Sequence, residues 1–489
     1  MNKNSTLIHN ATIVNEGRIF VGSVLIEGDR IAAVYPTEAP LADAGLPSEG
    51  PRTSQKEGRP VQHIRSVAEA LASAGRVVDA TGMLLLPGVI DTHVHFRDGG
   101  ESENPAGTFH SESRAARAGG VTSVVDMPNT KPQTVSLDAL EAKETLAARD
   151  SAVNYAFMLG ATNDNIDTLL ALEPTRYAAI KLFLGSSTGN MLVNDPGQLD
   201  RLFREAKKLI VAHCEEERVV QANLANAKRE YQGTGGETAA LHPKIRNNEA
   251  CFLSTYHAIE RARKYGTRFH VAHISTATEL SLLSNFDLKD KLITAEVTPN
   301  HLWFDDRDYA TLGNLIKCNP AIKSADDRLA LWAALEDGLI DTIATDHAPH
   351  PLEAKQRPYF DAPSGIPSIQ HSLQMMLEVV FGAEGSAFGT PHSEPRIQNP
   401  DLLATIVAKM CHNPALLFGI EGRGFIRPDD QADLVLVRPG VEETVTRESL
   451  LYKCGWSPLE GQTFHTRVER VWVNGHDDGT GAEALCFSR

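Results

Sequence analysis

Between residues 83 and 420, short apolar runs alternate with segments of helical period, and this alternation restricts the fold more than any other feature of the chain. The runs are Met83–Ile90 (a strand ending at Asp91), Val121–Met127, Val153–Leu159, Ala179–Leu184, Leu209–His213, Phe269–His273, Leu292–Val297 and Thr342–Asp346. Most are nearly continuous in aliphatic residues, the pattern of a parallel strand covered on both faces. Segments 136–149, 198–208, 247–265 and 325–336 carry the helical pattern between them. Strand and helix in alternation imply βα units. Eight of them across this span suit an α/β fold of the (β/α)8 TIM-barrel type with insertions.

The flanks differ in character. Residues 6–36 read as short strands, Thr6–Val14 and then Gly22–Val34, with a hairpin signal at Gly28-Asp29. Residues 37–75 turn to Pro, Gly, Ser and charge and read as a surface insertion with a short helix near 66–74, before Arg76–Gly82 resumes strand character. After about residue 425 strands return, at Ala432–Val437 and Val468–Gly475. A small β-sandwich domain built from both chain ends, 1–82 and 425–489, would account for this likeness and leave a barrel domain at 83–424.

Sixty-three acidic residues against 47 basic ones give a formal charge of −16, which disfavours attraction to a nucleic-acid backbone. The six cysteines are scattered without a C-x-x-C pair, against both a thiolate zinc site and a disulfide framework. The first residues lead into a strand pattern rather than a signal-peptide apolar region, and no apolar stretch reaches membrane-spanning length. A cytoplasmic enzyme is the expectation.

Several runs end in residues that apolar packing would not select. His93 and His95 follow the first run, and alternation along an extended chain points both to one side. Lys181 lies inside a run, His213 and His273 close two more, and Asp346 closes the last. Singly, a strand-end histidine is more often structural than a ligand, and an aspartate before a helix is usually an N-cap. Lys181 fits a structural role poorly, because burying an unpaired ammonium is costly. Together, six such residues at equivalent strand ends point to one cavity. Neutral imidazoles suit zinc and similar ions, and a carboxylate adds negative charge. A lysine amine that has captured carbon dioxide becomes a carbamate, an anionic ligand able to bridge two ions.

With these residues in place, the chain resembles the cyclic amidohydrolase superfamily and, within it, the dihydroorotase family, over nearly its whole length. The segments that carry the resemblance are Pro87–Arg97, Ala118–Ser123, Met127–Thr130, Lys317–Pro320, Thr345–His350 and Ala362–Pro367. Arg97 two residues after His95, the Met-Pro-Asn-Thr run, and the histidine ending Asp-His-Ala-Pro-His separate this family from the hydantoinases.

The resemblance implies two divalent metal ions, zinc being the expected one. His93, His95 and Asp346 would hold the first, His213 and His273 the second, and an N6-carboxylated Lys181 would bridge them. Some dihydroorotases carry aspartate at the bridging position; this chain is similar to those that keep lysine. Arg97, Asn129 and His350 match the family's binders of the substrate carboxylate. Asn319 and the Ser364-Gly365 backbone match its contacts to the pyrimidine ring. The loop Gly185–Asn190 is suited to closing over substrate, with Thr188 as the contacting residue. His347 is expected to orient the Asp346 loop, and His301 to be supporting or structural. The implied reaction is reversible hydrolysis of the ring amide of (S)-dihydroorotate to N-carbamoyl-L-aspartate, the third step of de novo pyrimidine synthesis, with Asp346 moving the proton. The implied partner is this small molecule, with neither nucleic acid nor membrane, and a homo-oligomer (dimer or tetramer) is the expected assembly. Two other readings stand: a hydantoinase- or allantoinase-type cyclic amidohydrolase, and a metal-free paralogue that scaffolds a partner. Every ligand position is filled, which weighs against the scaffold.

Overall fold

The computed structural model describes residues 2–37, 42–43, 66–100, 104–185, 191–236, 238–382 and 400–488. Most of the 37–75 insertion and Thr188 therefore lie outside the described residues. The expected short helix is present as Val67–Ser73, started by a capping box between Ser66 and Glu69.

All eight runs contain strands, and every strand residue in them is buried. Val89–Val94, Val121–Asp126 and Asn154–Phe157 form a three-stranded parallel sheet. Leu159–Gly160, Ile180–Phe183, Ile210–His213, Phe269–Val271, Ile293–Val297 and Thr342–Ile343 follow one another in a six-stranded parallel sheet. The sheets touch at both ends. Ala178 N, just before Ile180–Phe183, donates to Phe157 O at 2.9 Å. At the other end Val94 bridges His347 in parallel sense, and His95 N donates to His347 O at 2.7 Å.

The expected helices are Leu137–Asp150, Pro196–Glu205, Asn248–Tyr265 and Ala325–Glu336. Their ends follow from local chemistry. Ser136, Asp195, Asn247 and Ser324 each accept a first-turn N–H, and Gly266 ends its helix in the left-handed conformation. Among the described residues, no helix is long and apolar enough to cross a membrane.

Met83–Ile90 is not one strand. Leu84–Pro87 pairs with Leu434–Val437 on one side and with Thr12–Ile13 on the other, while Val89–Val94 joins the parallel sheet. Gly88 is the crossing point. Its N–H donates to Asp433 O (2.8 Å), and the next N–H, of Val89, donates to Gly120 O (3.2 Å). A Cβ at Gly88 would fall inside the Thr122 side chain, so only glycine allows the approach. Apolarity could not show this break, because the residues on both sides of Gly88 are buried alike.

Leu84–Pro87 thus sits inside a larger sheet whose order is Thr463–Trp472, Leu434–Thr444, Leu84–Pro87, Asn2–Asn15, Arg18–Glu27, Arg30–Pro36. Ala74–Asp79 also pairs with Asn2–Asn15, and Ala42–Asp43 with Arg18–Glu27. Strands from both chain ends share this sheet over a core containing Ile8, Ile13, Val24, Leu85, Leu434 and Trp472. Gly28-Asp29 forms the turn between Arg18–Glu27 and Arg30–Pro36, as expected. Gly88→Ala should therefore cost about 1–3 kcal/mol, the usual range for overpacking, and a thermal melt should show the lowered midpoint.

Candidate active site

The polar residues at the strand ends converge. Three of them stand where the chain leaves its strand in the left-handed backbone region, unusual for a residue with a Cβ: Arg97 (φ 64°), His273 (φ 38°) and Asp346 (φ 49°). The strands before His273 and Asp346 stop at Val271 and Ile343, earlier than expected. Such strained backbone persists when surrounding structure fixes it, and here it holds functional-type side chains.

His93 Nδ1 donates to Glu296 Oε1 at 2.7 Å, and His95 Nδ1 donates to Asn129 Oδ1 at 2.7 Å. With these protons placed, both Nε2 atoms present lone pairs. Those lone pairs face one oxygen, Asp346 Oδ1, at 3.3 Å from His93 and 2.9 Å from His95. Two lone pairs against a carboxylate oxygen repel unless a cation lies among them. Ligand atoms of these three residues lie within 4.8 Å of one another, close enough to hold one ion. Burial, and then the charge of Lys181, lowers the His93 pKa; burial, and then Arg97, pulls His95 well below its ordinary value.

Beside this group, His213 Nε2 donates to Glu215 Oε2 (2.9 Å), which leaves Nδ1 facing His273 Nε2 at 3.0 Å. The His93 and His273 rings are 5.3 Å apart, so the two groups adjoin. Lys181 is fully buried, its Nζ has no hydrogen-bond partner among the described residues, and it lies 5.3 Å from the centre of the Phe183 ring. Burial pulls its ammonium down to about 8, against the opposing charges of Glu296 and Asp346. Burial raises the Asp346 carboxyl, with His93 and Lys181 opposing. An orphaned lysine amine, an orphaned His273 Nδ1 and converging imidazole lone pairs fit metal ions joined by a carboxylated lysine.

The side toward solvent is built differently. Arg97 is largely buried, has no carboxylate within 4.0 Å among the described residues, and its Nε lacks a partner. His350 Nε2 donates to Ser364 O at 3.0 Å and lies 3.3 Å from Arg97 Nη2. Asn129 is bonded to the histidine group instead, its Oδ1 accepting from His95. Among the described residues Asn319 makes no direct contact with this group; its Oδ1 lies 3.1 Å from His242 Nε2, while Lys317, two residues before it, accepts from Gly365 N through its carbonyl at 2.8 Å. Gly365 has φ 144°, and a Cβ there would strike Ala348 O and crowd His350.

The chain matches the model of the amidohydrolase family over residues 84–476. The chain belongs to the amidohydrolase family. A dihydroorotase from Halobacterium salinarum is 34% identical over 413 residues, covering 83% of this chain and 90% of that protein. An allantoinase from Escherichia coli is 27% identical over 421 residues, covering 84% and 88%. Among solved structures, the L-hydantoinase (dihydropyrimidinase) from Arthrobacter aurescens superposes with a TM-score of 0.81 at 24% identity over 98% of this chain and 99% of its own, a likeness of fold. The mixed α/β architecture with parallel sheets is the amidohydrolase fold of the TIM-barrel superfamily.

In this amidohydrolase, His347 turns away from the histidine cluster: Nε2 donates to Glu112 Oε2 (2.9 Å) and Nδ1 accepts from Ser368 N (3.1 Å). His301 lies between Thr298 Oγ1 (2.8 Å) and Pro320 O (3.1 Å). Sequence reasoning missed Glu296 and Glu215. Both left a signal: Glu296 is as anomalous in its apolar run as Lys181, and Glu215 follows His213 at the two-residue spacing that keeps a common side. Burial alone would raise the Glu215 carboxyl, but its pairing with Arg246 and His213 holds it below the ordinary range. Arg246→Met leaves that carboxylate buried without its cation. It should cost about 3–5 kcal/mol, seen as a lower unfolding midpoint in denaturant.

Proposed function

We propose that this amidohydrolase is a dihydroorotase, reversibly hydrolysing the ring amide of (S)-dihydroorotate to N-carbamoyl-L-aspartate. The observation that carries this reading is Arg97: a largely buried guanidinium, without a carboxylate partner among the described residues, beside a histidine cluster suited to metal. A substrate carboxylate supplies the missing anion, and the guanidinium fork suits it in a way an ammonium does not. The 34% identical dihydroorotase supports the same reading.

His93, His95 and Asp346 would hold one divalent ion, zinc by expectation, and His213 and His273 a second, with N6-carboxylated Lys181 completing the ligand set. Ions held there supply Lewis acidity to the ring carbonyl and lower the pKa of water. Glu296 and Asn129 fix the tautomers of His93 and His95. Arg97, Asn129 and His350 hold the carboxylate, and Asn319 with the Ser364-Gly365 backbone holds the ring. Thr188 contacts substrate from its loop. Asp346 takes the proton of the attacking water and returns it to the ring nitrogen as the C–N bond breaks.

The architecture in this reading is a closed (β/α)8 barrel with a small β-sandwich domain. The Val94–His347 bridge supports closure, and the sheet shared by both chain ends supports the second domain, which takes in Leu84–Pro87. The allantoinase and hydantoinase relatives favour a second reading, a cyclic-amide hydrolase for rings without a carboxylate.

A steady-state assay with dihydroorotate and N-carbamoyl-aspartate, with and without added zinc and beside allantoin and a plain hydantoin, tests this function. Preference for dihydroorotate is expected, and preference for either other ring overturns it. Arg97→Lys should raise KM for dihydroorotate about 10- to 100-fold, the loss of one charge-assisted hydrogen bond or two. Reconstituting the metal-stripped enzyme without bicarbonate should leave activity impaired, and adding bicarbonate should restore it; indifference argues against the carboxylated lysine.

A further inference from the structure

Lys355 closes the short helix Leu352–Lys355, just after His350, and its side chain is 1% exposed. No Asp or Glu lies within 4.0 Å of it among the described residues. Its Nζ instead donates to three backbone carbonyls: Gly365 O at 2.8 Å, Lys317 O at 3.0 Å and Pro363 O at 3.1 Å. An ammonium has three N–H groups and an uncharged amine only two, so the trio of acceptors matches the charged form. Burial pulls that ammonium down to about 7, with Cys318 opposing and the charge of Lys317 adding to the fall. A buried charge kept without a counterion is expensive for stability, which turns attention to what it holds.

The three carbonyls come from two segments, and both bear on the solvent side of the site. Lys317 begins the Lys-Cys-Asn-Pro run that carries Asn319, and Pro363 and Gly365 flank Ser364. His350, five residues before Lys355, contacts Ser364 O and Arg97. One side chain therefore joins both ring-contacting segments to the helix that follows His350.

We propose that Lys355 is a positioning residue that sets affinity for the carboxylated ring: its ammonium fastens the Lys317, Pro363 and Gly365 carbonyls in register with His350, and its uncompensated charge favours an anionic ligand. This rests on the dihydroorotase reading. It goes beyond it in assigning substrate affinity to a residue that does not touch substrate.

The test compares unaltered holoenzyme with Lys355→Met and Lys355→Gln, using Lys409→Met as control. Lys409 is a second buried lysine, bonded to Ile340 O away from the site. Steady-state KM and kcat for dihydroorotate are measured with equilibrium binding of orotate, the oxidised ring with the same carboxylate, and with thermal midpoint and bound metal. The Met variant should raise KM and the orotate dissociation constant together, about 10- to 100-fold, with kcat changed less than about 3-fold and metal content unchanged. The Gln variant, with two donors but no charge, should fall between. Lys409→Met should lower the midpoint and leave KM and orotate binding alone. Orotate affinity within about 2-fold of the unaltered enzyme in the Lys355 variants overturns the proposal. So does equal loss of fold in Met and Gln, which makes Lys355 a stability residue only, or a fall in kcat with KM unmoved. Failure of the unaltered enzyme to turn over dihydroorotate instead overturns the function on which the proposal rests.

Discussion

The Glu296 carboxylate ties its own strand, Ile293–Val297, to the chain after the neighbouring Phe269–Val271 and to Val89–Val94, with which it shares no ladder. Oε1 accepts from the His93 ring (2.7 Å) and from the backbone N–H of His273 (3.2 Å), and Oε2 lies 3.9 Å from His270 Nε2. Burial alone would raise this carboxyl; His93 and His270 more than offset it and keep it ionised. A buried anion is tolerated only when surrounded by donors, so its demand for partners dictates where those histidines point. His93 can present Nε2 to Asp346 because Nδ1 is already engaged. The same negative charge opposes the burial penalty on Lys181.

From this anchor the site becomes wetter toward its mouth. Lys181, His213 and His273 are buried, whereas Arg97, Asn129, Asp346, His350 and Ser364 keep some exposure. The mouth is held from outside by the C-terminal part of the chain. Trp456 Nε1 donates to His350 O at 2.7 Å, and Glu112, which fixes His347, also accepts from Lys453 N at 3.0 Å. The loop carrying Asp346 and His350 is thus clasped by residues more than a hundred positions later, and its left-handed turn at Asp346 has support on both sides.

Much of this was legible in the sequence because the parallel strands are buried on both faces. In such a strand every polar residue is an anomaly, and His93, Lys181, His213, His273 and Asp346 could be picked out one by one. Glu296 obeys the same rule, but its partners His93 and His273 come from other parts of the chain, which only the fold brings together. The division of Met83–Ile90 was hidden for the opposite reason: two buried strands in series look like one apolar run. Lys355 was hidden too, because a lysine in a polar loop gives no sign that three carbonyls surround it. Those contacts depend on Lys317 and on Pro363–Gly365, which only the fold brings together.

Leu84–Pro87 takes its neighbours from residues 12–13 on one side and 434–437 on the other. During synthesis the first neighbour is available at once, and the second only after the whole parallel-stranded region has been made. Until then one edge of the strand has its amides and carbonyls unmatched, the kind of edge that recruits foreign chains. Contacts this distant in sequence also form slowly, because the loop must close before they can stabilise anything. The shared sheet therefore acts as a late seal. The seam between residues 84–87 and 434–437 cannot close before the parallel-stranded region between them has been made.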